Sequence, residues 1–113
     1  MIFKVIIHDQ AMDDIVRNSK WWAERHSQSK ALEWYDAIIK RIESLQEMPE
    51  SNPLVPENDL FKRDIRHALF GLGPRPGYRI IFTVKEENNV HVLTVKAAEE
   101  RWLGSGDLDL IGP

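Results

Sequence analysis

The sequence predicts an α+β fold in the order β-α-α-β-β-β: an N-terminal strand, an α-helical hairpin and a three-stranded antiparallel meander. Three observations lead to this prediction. Residues 27–50 carry apolar side chains at helical spacing, residues 63–96 contain three runs of strand-forming residues, and a proline-rich segment separates the two regions. We expect the helical hairpin to cover one face of the sheet and to leave the other face open.

The N-terminal half contains the first strand and both helices. Residues 2–8, IFKVIIH, form a short β-rich run. Residues 9–26 are predicted to be the first helix, with Asp9 as its N-cap. Residues 27–50 give the clearest helical pattern, which Ser27 or Ser29 can cap and Pro49 ends. Two helices separated by a few polar residues predict an antiparallel hairpin.

The C-terminal half begins with residues 49–61, PESNPLVPENDLF, called here the proline-rich loop because its three prolines exclude regular structure. Strand candidates follow at residues 63–70, 78–84 and 90–96. A Gly/Pro hairpin loop, GLGPRPG, and a polar turn, KEENN, connect them.

Length and composition limit the classes of protein. A chain of 113 residues is predicted to be one domain, and the lack of cysteine excludes disulfides and thiolate metal sites. The four histidines have no metal-binding spacing, so no metal or other cofactor is expected. No apolar run approaches the ~20 residues of a membrane span. The start, MIFKVIIHDQ, does not resemble a signal peptide, and we therefore expect a cytoplasmic protein.

The charge is unevenly distributed. The net charge of −3 argues against a general nucleic-acid binder. Residues 61–79, called here the basic segment, nevertheless hold five basic side chains against Asp64 alone: Lys62, Arg63, Arg66, Arg75 and Arg79. This segment is either an anion-binding site or a counterweight to the protein's own acidic helices.

Several stretches, taken in order, resemble the RelE/ParE toxin superfamily of bacterial type II toxin–antitoxin modules, which includes plasmid stabilisation proteins. They are a tryptophan-rich helix, WWAERHSQSKALEWYDAIIKRIESLQEMPE; a proline-rich loop before DIRHALFG; and YRIIFTV followed by VHVLTVKAA. The resemblance covers residues 1–98, which we predict to be the toxin domain. Residues 99–113 are predicted to be a C-terminal tail.

This resemblance implies a growth-inhibiting toxin that a cognate antitoxin neutralises, with no membrane or metal involved. RelE-like members are endoribonucleases that cleave ribosome-bound mRNA without a metal. ParE-like members share the fold, lack that catalytic set and act on DNA gyrase. A degenerate toxin that only binds its antitoxin is a third alternative, so the resemblance leaves open whether the protein is an enzyme.

The predicted site residues follow from the chemistry of metal-free RNA cleavage. A cation must stabilise the charge that gathers on the phosphoryl oxygens, and an arginine fork suits that role. Arg79 matches the active-site arginine of RelE-like members; its alternative is an internal ion pair with an acidic side chain from Glu57, Asp59 or Asp64. If Ile65 and Leu69 face the helices, Arg66 faces the open surface near Arg79 and His67 points into the core.

The end of the last strand departs from the RelE-like pattern. Lys96 matches a basic position, but Ala97 stands where a histidine is usual. RelE-like members often also place a tyrosine near that histidine, and this sequence has no tyrosine after Tyr78. The departure counts against classical cleavage, and Arg79, Arg66 and Lys96 remain as the candidate catalytic set. Separately, Trp21 lies off the apolar stripe of its helix and is predicted to be an exposed contact for a protein partner.

Overall fold

The computed structural model describes residues 2–73 and 77–98, and it confirms the α+β class and the predicted order of elements. Short 3₁₀ turns follow the second helix and interrupt the proline-rich loop. The helices and strands are β1 (Lys4–Ile7), α1 (Asp9–Arg25), α2 (Gln28–Glu43), β2 (Arg66–Phe70), β3 (Tyr78–Lys85) and β4 (Asn89–Ala97).

The four strands form one mixed sheet in the order β1-β4-β3-β2. β2, β3 and β4 pair antiparallel as the predicted meander, and β1 pairs parallel to β4. The β3–β4 register shifts between Ile81 and Phe82, because Ile81 pairs with Thr94 whereas Phe82 pairs with Val92. Leu93 is therefore the extra residue of a β-bulge, and it interrupts the simple alternation of side chains along β4.

The helix caps agree only partly with prediction. Ser27 caps α2, since its hydroxyl accepts a hydrogen bond from the Lys30 backbone N–H at 3.0 Å. His8, and not Asp9, is the N-cap residue of α1, and its side chain makes no capping bond. Asp9 instead lies in the first turn, where its negative charge interacts favourably with the helix dipole.

The second helix is shorter than predicted. α2 ends at Glu43, and Ser44–Gln46 tighten into a 3₁₀ turn. Met48 then adopts a left-handed conformation with φ of 48° just before Pro49. The residue before a proline is disfavoured in the right-handed helical region, so the helix has to end upstream of Pro49.

The main core lies between the helical hairpin and one face of the sheet. Trp34, Ile38 and Ile42 of α2 are fully buried there, with Ile15 of α1 beside them. The sheet contributes buried side chains from three strands, namely Ala68, Phe70, Ile80, Phe82, Val90, Val92 and Val95. One apolar core thus joins the helices to β2, β3 and β4.

The opposite side of the sheet, called here the second face, is not open as predicted. The proline-rich loop folds back across part of it, and Val55 packs with Ile65, Ile81 and Leu93 in a second buried cluster. Backbone bonds fix the loop in place, because Val55 N–H donates to Ile65 at 2.8 Å and His67 N–H donates to Pro53 at 3.1 Å. The loop thereby also covers the outer edge of β2.

Residues 2–73 and 77–98 contain neither a helix that could cross a membrane nor a cluster of metal ligands. No helix in this range has the length and apolar character needed to cross a membrane. Nor do three or more His, Cys, Asp or Glu side chains in this range cluster in a way that would hold a metal ion.

Candidate functional site

Arg79 lies at the start of β3 on the second face, as predicted, but it is only 4% exposed. Its two terminal nitrogens contact the two oxygens of Glu57, with Nη1–Oε1 at 3.2 Å and Nη2–Oε2 at 3.0 Å. The Glu57 side chain has no exposed surface. The fork of the guanidinium therefore matches an internal carboxylate, which is the ion-pair alternative for Arg79.

The proline-rich loop positions Glu57. The following residue, Asn58, accepts a hydrogen bond from Ile65 N–H on its Oδ1 at 2.7 Å and donates its own N–H to Val55 at 3.0 Å. These bonds close the loop over the second face with Glu57 directed inward. A buried charge is tolerated when it is paired and hydrogen-bonded, and the Arg79 fork supplies both conditions.

His67 joins this pair from β2. Its Nδ1 lies 3.4 Å from Arg79 Nη1. A guanidinium can only donate, which assigns Nδ1 as the acceptor and places the ring proton on Nε2. Burial, with a smaller effect from the Arg79 charge, lowers the pKa of His67, and Glu57 opposes the shift. The cluster on the second face thus contains a carboxylate, a guanidinium and a neutral imidazole.

The predicted orientation of β2 is wrong. Ala68 and Phe70 face the helices, so His67 and Leu69 face the second face. The sequence analysis took Ile65 and Leu69 to face the helices, but Ala68 and Phe70, on the other side of the strand, are apolar too. Ile65 packs instead under the proline-rich loop, in the second cluster.

Arg66 consequently does not approach Arg79. It pairs with Phe82 in the β2–β3 ladder, whereas Arg79 pairs with Leu69, and the two arginines lie on opposite faces of the sheet. Arg66 Nη1 donates to the Asn52 carbonyl at 2.6 Å, which ties β2 to the proline-rich loop. The prediction that Arg66 lies near Arg79 on the open surface is therefore wrong.

Lys96, by contrast, is adjacent to Arg79. The two residues are direct partners in the β3–β4 ladder, and Lys96 is half-buried at the end of β4. Ala97, which replaces the histidine usual in RelE-like members, pairs with Tyr78. The sheet therefore brings together two of the three candidate catalytic residues, and a catalytic role for Arg79, Arg66 and Lys96 stays a prediction.

Asp14 of α1 is a buried charged residue that the sequence analysis missed. It is 2% exposed, and its Oδ2 accepts hydrogen bonds from the Thr94 hydroxyl and, at 3.0 Å, from the Val95 N–H. Gln10 and Arg17 donate to its Oδ1 at 2.9 and 3.0 Å. Asp14 thus accepts hydrogen bonds from the part of β4 that lies just beyond its pairing with β1. Its position three residues after Ala11 and beside Ile15, on the apolar stripe, was the available signal.

A second pair of titratable groups joins the start of α1 to β4. His8 Nε2 and His91 Nδ1 are 2.8 Å apart, and the rings meet edge to face. Burial, followed by the Lys85, His8 and Arg63 charges, lowers the pKa of His91. At this distance one ring donates a hydrogen bond and the other accepts it.

A cavity of about 1150 Å³ lies between residues 60–66 and the β3–β4 turn. Three members of the basic segment line it, together with Lys85. Four acidic side chains share the lining: Glu50, Asp64, Glu86 and Glu87. The basic segment is thus divided: Arg79 pairs internally, and Lys62, Arg63 and Arg66 lie among carboxylates. Arg75 and the predicted tail of residues 99–113 lie outside the described residues.

Comparison with known proteins identifies the class to which this fold belongs. A family model described as the ParE toxin of the type II toxin–antitoxin system parDE matches residues 5–102. A solved structure titled as the chromosomal ParDE toxin–antitoxin system from P. aeruginosa shares the fold, with a TM-score of 0.68 at 16% sequence identity. That alignment covers 85% of this chain and 96% of the other. The search of curated proteins gave no match.

The chain belongs to the ParE toxin family. It is therefore a toxin component of a type II toxin–antitoxin system in the RelE/ParE superfamily, and its partner is a cognate antitoxin.

Proposed function

We propose that this toxin inhibits growth by binding DNA gyrase in the cytoplasm, and that it does not cleave ribosome-bound mRNA. The observation that carries the proposal is the bidentate pair between Arg79 and Glu57. A phosphate-binding arginine must present its fork to the ligand, whereas here both terminal nitrogens contact an internal carboxylate.

The energetics of that pair support the proposal. A phosphate could take the place of Glu57 only if the carboxylate were left buried without its cation, and an unpaired buried charge costs several kcal/mol. The Glu57 side chain is fully buried under the proline-rich loop, so water cannot compensate. RNA binding by Arg79 would therefore require the loop to leave the second face.

The contacts of the described residues around Arg79 also argue against the acid and base that cleavage needs. Ala97 stands where a histidine is usual in RelE-like members, and the nearby His67 uses its Nδ1 to accept from Arg79. The hydroxyl of Tyr78 accepts a hydrogen bond from Trp22 Nε1 at 3.2 Å within the helix–sheet packing. These contacts favour a structural role for the cluster, in which it fastens the proline-rich loop to the sheet.

The test measures both candidate activities with the same protein preparation. We expect the purified toxin to inhibit supercoiling by purified gyrase, and we expect primer extension on mRNA from arrested cells to show no new cleavage sites. Toxin mixed with its antitoxin is the matched control and should leave gyrase active. Cleaved messages with unaffected supercoiling would establish the RelE-like alternative instead. Antitoxin binding without growth arrest would indicate the degenerate toxin.

A further inference from the structure

The outer edge of β1 is an open edge of the sheet. β1 pairs with β4 on one side and is the last strand of the sheet on the other. Because His8 N–H donates to Val92 and the backbone groups of a strand alternate between its two sides, those of Val5 and Ile7 point away from β4. Within residues 2–73 and 77–98, nothing forms a hydrogen bond with the N–H and C=O groups of Val5 and Ile7.

Two other edges of the described sheet are covered. At β2, Leu54 of the proline-rich loop forms a bridge to the strand, and Arg41 Nε donates to the Leu69 carbonyl at 3.3 Å. Where β4 extends beyond β1, Asp14 accepts a hydrogen bond from the Val95 N–H. Proteins cover sheet edges in such ways because free backbone groups bind another strand. The uncovered edge of β1 is therefore able to accept a strand.

The open part of the β1 edge is short, because both of its ends are closed. At one end Phe3 N–H donates to the Gln46 carbonyl at 2.8 Å, and at the other end Asp9 begins α1. Val5 and Ile7 remain between them. An antiparallel strand that fits this edge must offer two residues at the same spacing and turn away beyond them. A second β1 has both properties, since it offers the same two residues between the same closed ends.

We propose that a second copy of this chain occupies the open edge, so that two β1 strands pair antiparallel about a two-fold axis. The pairing joins two four-stranded sheets into one and is isologous, as a closed dimer requires. With Val5 opposite Ile7 of the second copy, each such pair exchanges two backbone hydrogen bonds, and Ile6 lies on the axis. The two neighbouring registers fit worse, because one sets Ile7 opposite the closed Phe3 and the other sets Val5 opposite the helical Asp9.

The side chains along β1 suit this pairing. Val5 and Ile7 pack against the main core, so Ile6 lies on the second face, where it is half-buried in a single copy. The dimer buries Ile6 against Ile6 of the second copy, a contact between directly opposed apolar side chains. Lys4 lies opposite His8 of the second copy, which keeps the two Lys4 charges apart. The interface is small, so we expect a reversible dimer, and the proposal is independent of how the toxin acts on its target.

The chain has no cysteine, so one introduced cysteine reports the register of the pairing. Ile6→Cys should give a disulfide-linked dimer when the purified full-length toxin is oxidised, because opposed residues on the axis bring their Cα atoms to about 4.5 Å. Lys4→Cys is the matched control on the same face of the strand. Its two copies would be roughly 13 Å apart along the paired strands, too far for a disulfide, and should run as monomers on a non-reducing gel.

Sedimentation equilibrium tests the association without a cross-link. The weight-average mass of the unmodified toxin should rise with concentration toward twice the monomer mass. Ile6→Arg, which brings two like charges together on the axis, should abolish the rise. Leu32→Arg is the same type of change at an exposed residue of α2, 62% accessible, and should leave the rise unchanged.

A thermal melt of each variant confirms that it is folded. A toxin that stays monomeric at every concentration would overturn the proposal. Cross-linking of the Ile6 and Lys4 variants to the same extent would also overturn it, because random collision and not a defined register would then explain the disulfide.

Discussion

Arg79 and Glu57 form a buried bidentate ion pair that connects β3 to the proline-rich loop. The two residues are 22 positions apart, and the pair closes the loop over the second cluster of Val55, Ile65, Ile81 and Leu93. An arginine at the position that RelE-like members use for catalysis thus serves as a link within the protein.

Breaking the pair from one side should be strongly destabilising. Arg79→Ala leaves the Glu57 carboxylate buried without its cation, and we expect a loss of about 3–5 kcal/mol in the free energy of unfolding. Urea denaturation followed by circular dichroism measures this quantity. Lys62→Ala, which removes a cation from an exposed residue that lines the cavity, is the comparison. Equal, small effects of the two substitutions would show that the pair does not hold the loop.

Asp14 should be important for the junction of α1 with β4. Asp14→Ala leaves the Thr94 hydroxyl and the Val95 N–H without their acceptor, so we expect a loss of about 2–4 kcal/mol in the free energy of unfolding. The neighbouring Asp13 is exposed, and Asp13→Ala should change stability by less than about 0.5 kcal/mol. Hydrogen exchange should also accelerate at Val95 in the Asp14 variant. Continued protection of that amide would contradict the account.

The hydroxyl of Ser27 should be worth about 1 kcal/mol as the cap of α2. It accepts from Lys30 N–H, whereas no such bond assigns Ser29 to the cap. Ser27→Ala should therefore lower the melting temperature by several degrees, and Ser29→Ala should have a much smaller effect. A larger shift for Ser29→Ala would mean that the helix begins at the other serine.

Stability should decline in mildly acidic solution. The pKa values of His67 and His91 are lowered from 6.5 in the folded protein, so the unfolded chain binds more protons below that pH. The contribution is fully present above the unfolded pKa and is lost as pH falls through 6.5 toward the folded values. The stability lost through each ring cannot exceed about 1.4 kcal/mol per pH unit, and solvent screening reduces it for these partly exposed groups.

Denaturation midpoints between pH 5 and 8 measure that decline. His67→Asn and His91→Asn should each flatten the curve, and the double variant should flatten it further. A pH dependence that is unchanged in the double variant would contradict the assignment of these two rings.

The sequence predicts the features that local patterns determine. The apolar spacing of α2 and the order of helices and strands along the chain depend on neighbouring residues, and both are confirmed. Of the two serines predicted to cap α2, Ser27 and Ser29, the structure selects Ser27. The placement of Arg79 beside Ile81 and Thr83 on one side of β3 follows from strand alternation alone.

Features that depend on distant contacts were mispredicted or missed. Both sides of β2 carry apolar residues, and only the return of the proline-rich loop over Ile65 decides which side faces the helices. The bulge at Leu93 cannot be recognised from a continuous β-forming run. Glu57 was one of three acidic candidates for Arg79, and the fold of a loop with three prolines selected it.

We infer that Arg79 acts within the protein and not on a phosphate. The most direct test replaces the whole pair, as Glu57→Met together with Arg79→Met, because apolar residues of similar volume can substitute for a buried ion pair at little cost in stability. Growth arrest is measured after induction, with a thermal melt and antitoxin binding as controls for folding. We expect the folded double variant to arrest growth as the unmodified toxin does. A folded, antitoxin-binding double variant that has lost its toxicity would contradict it.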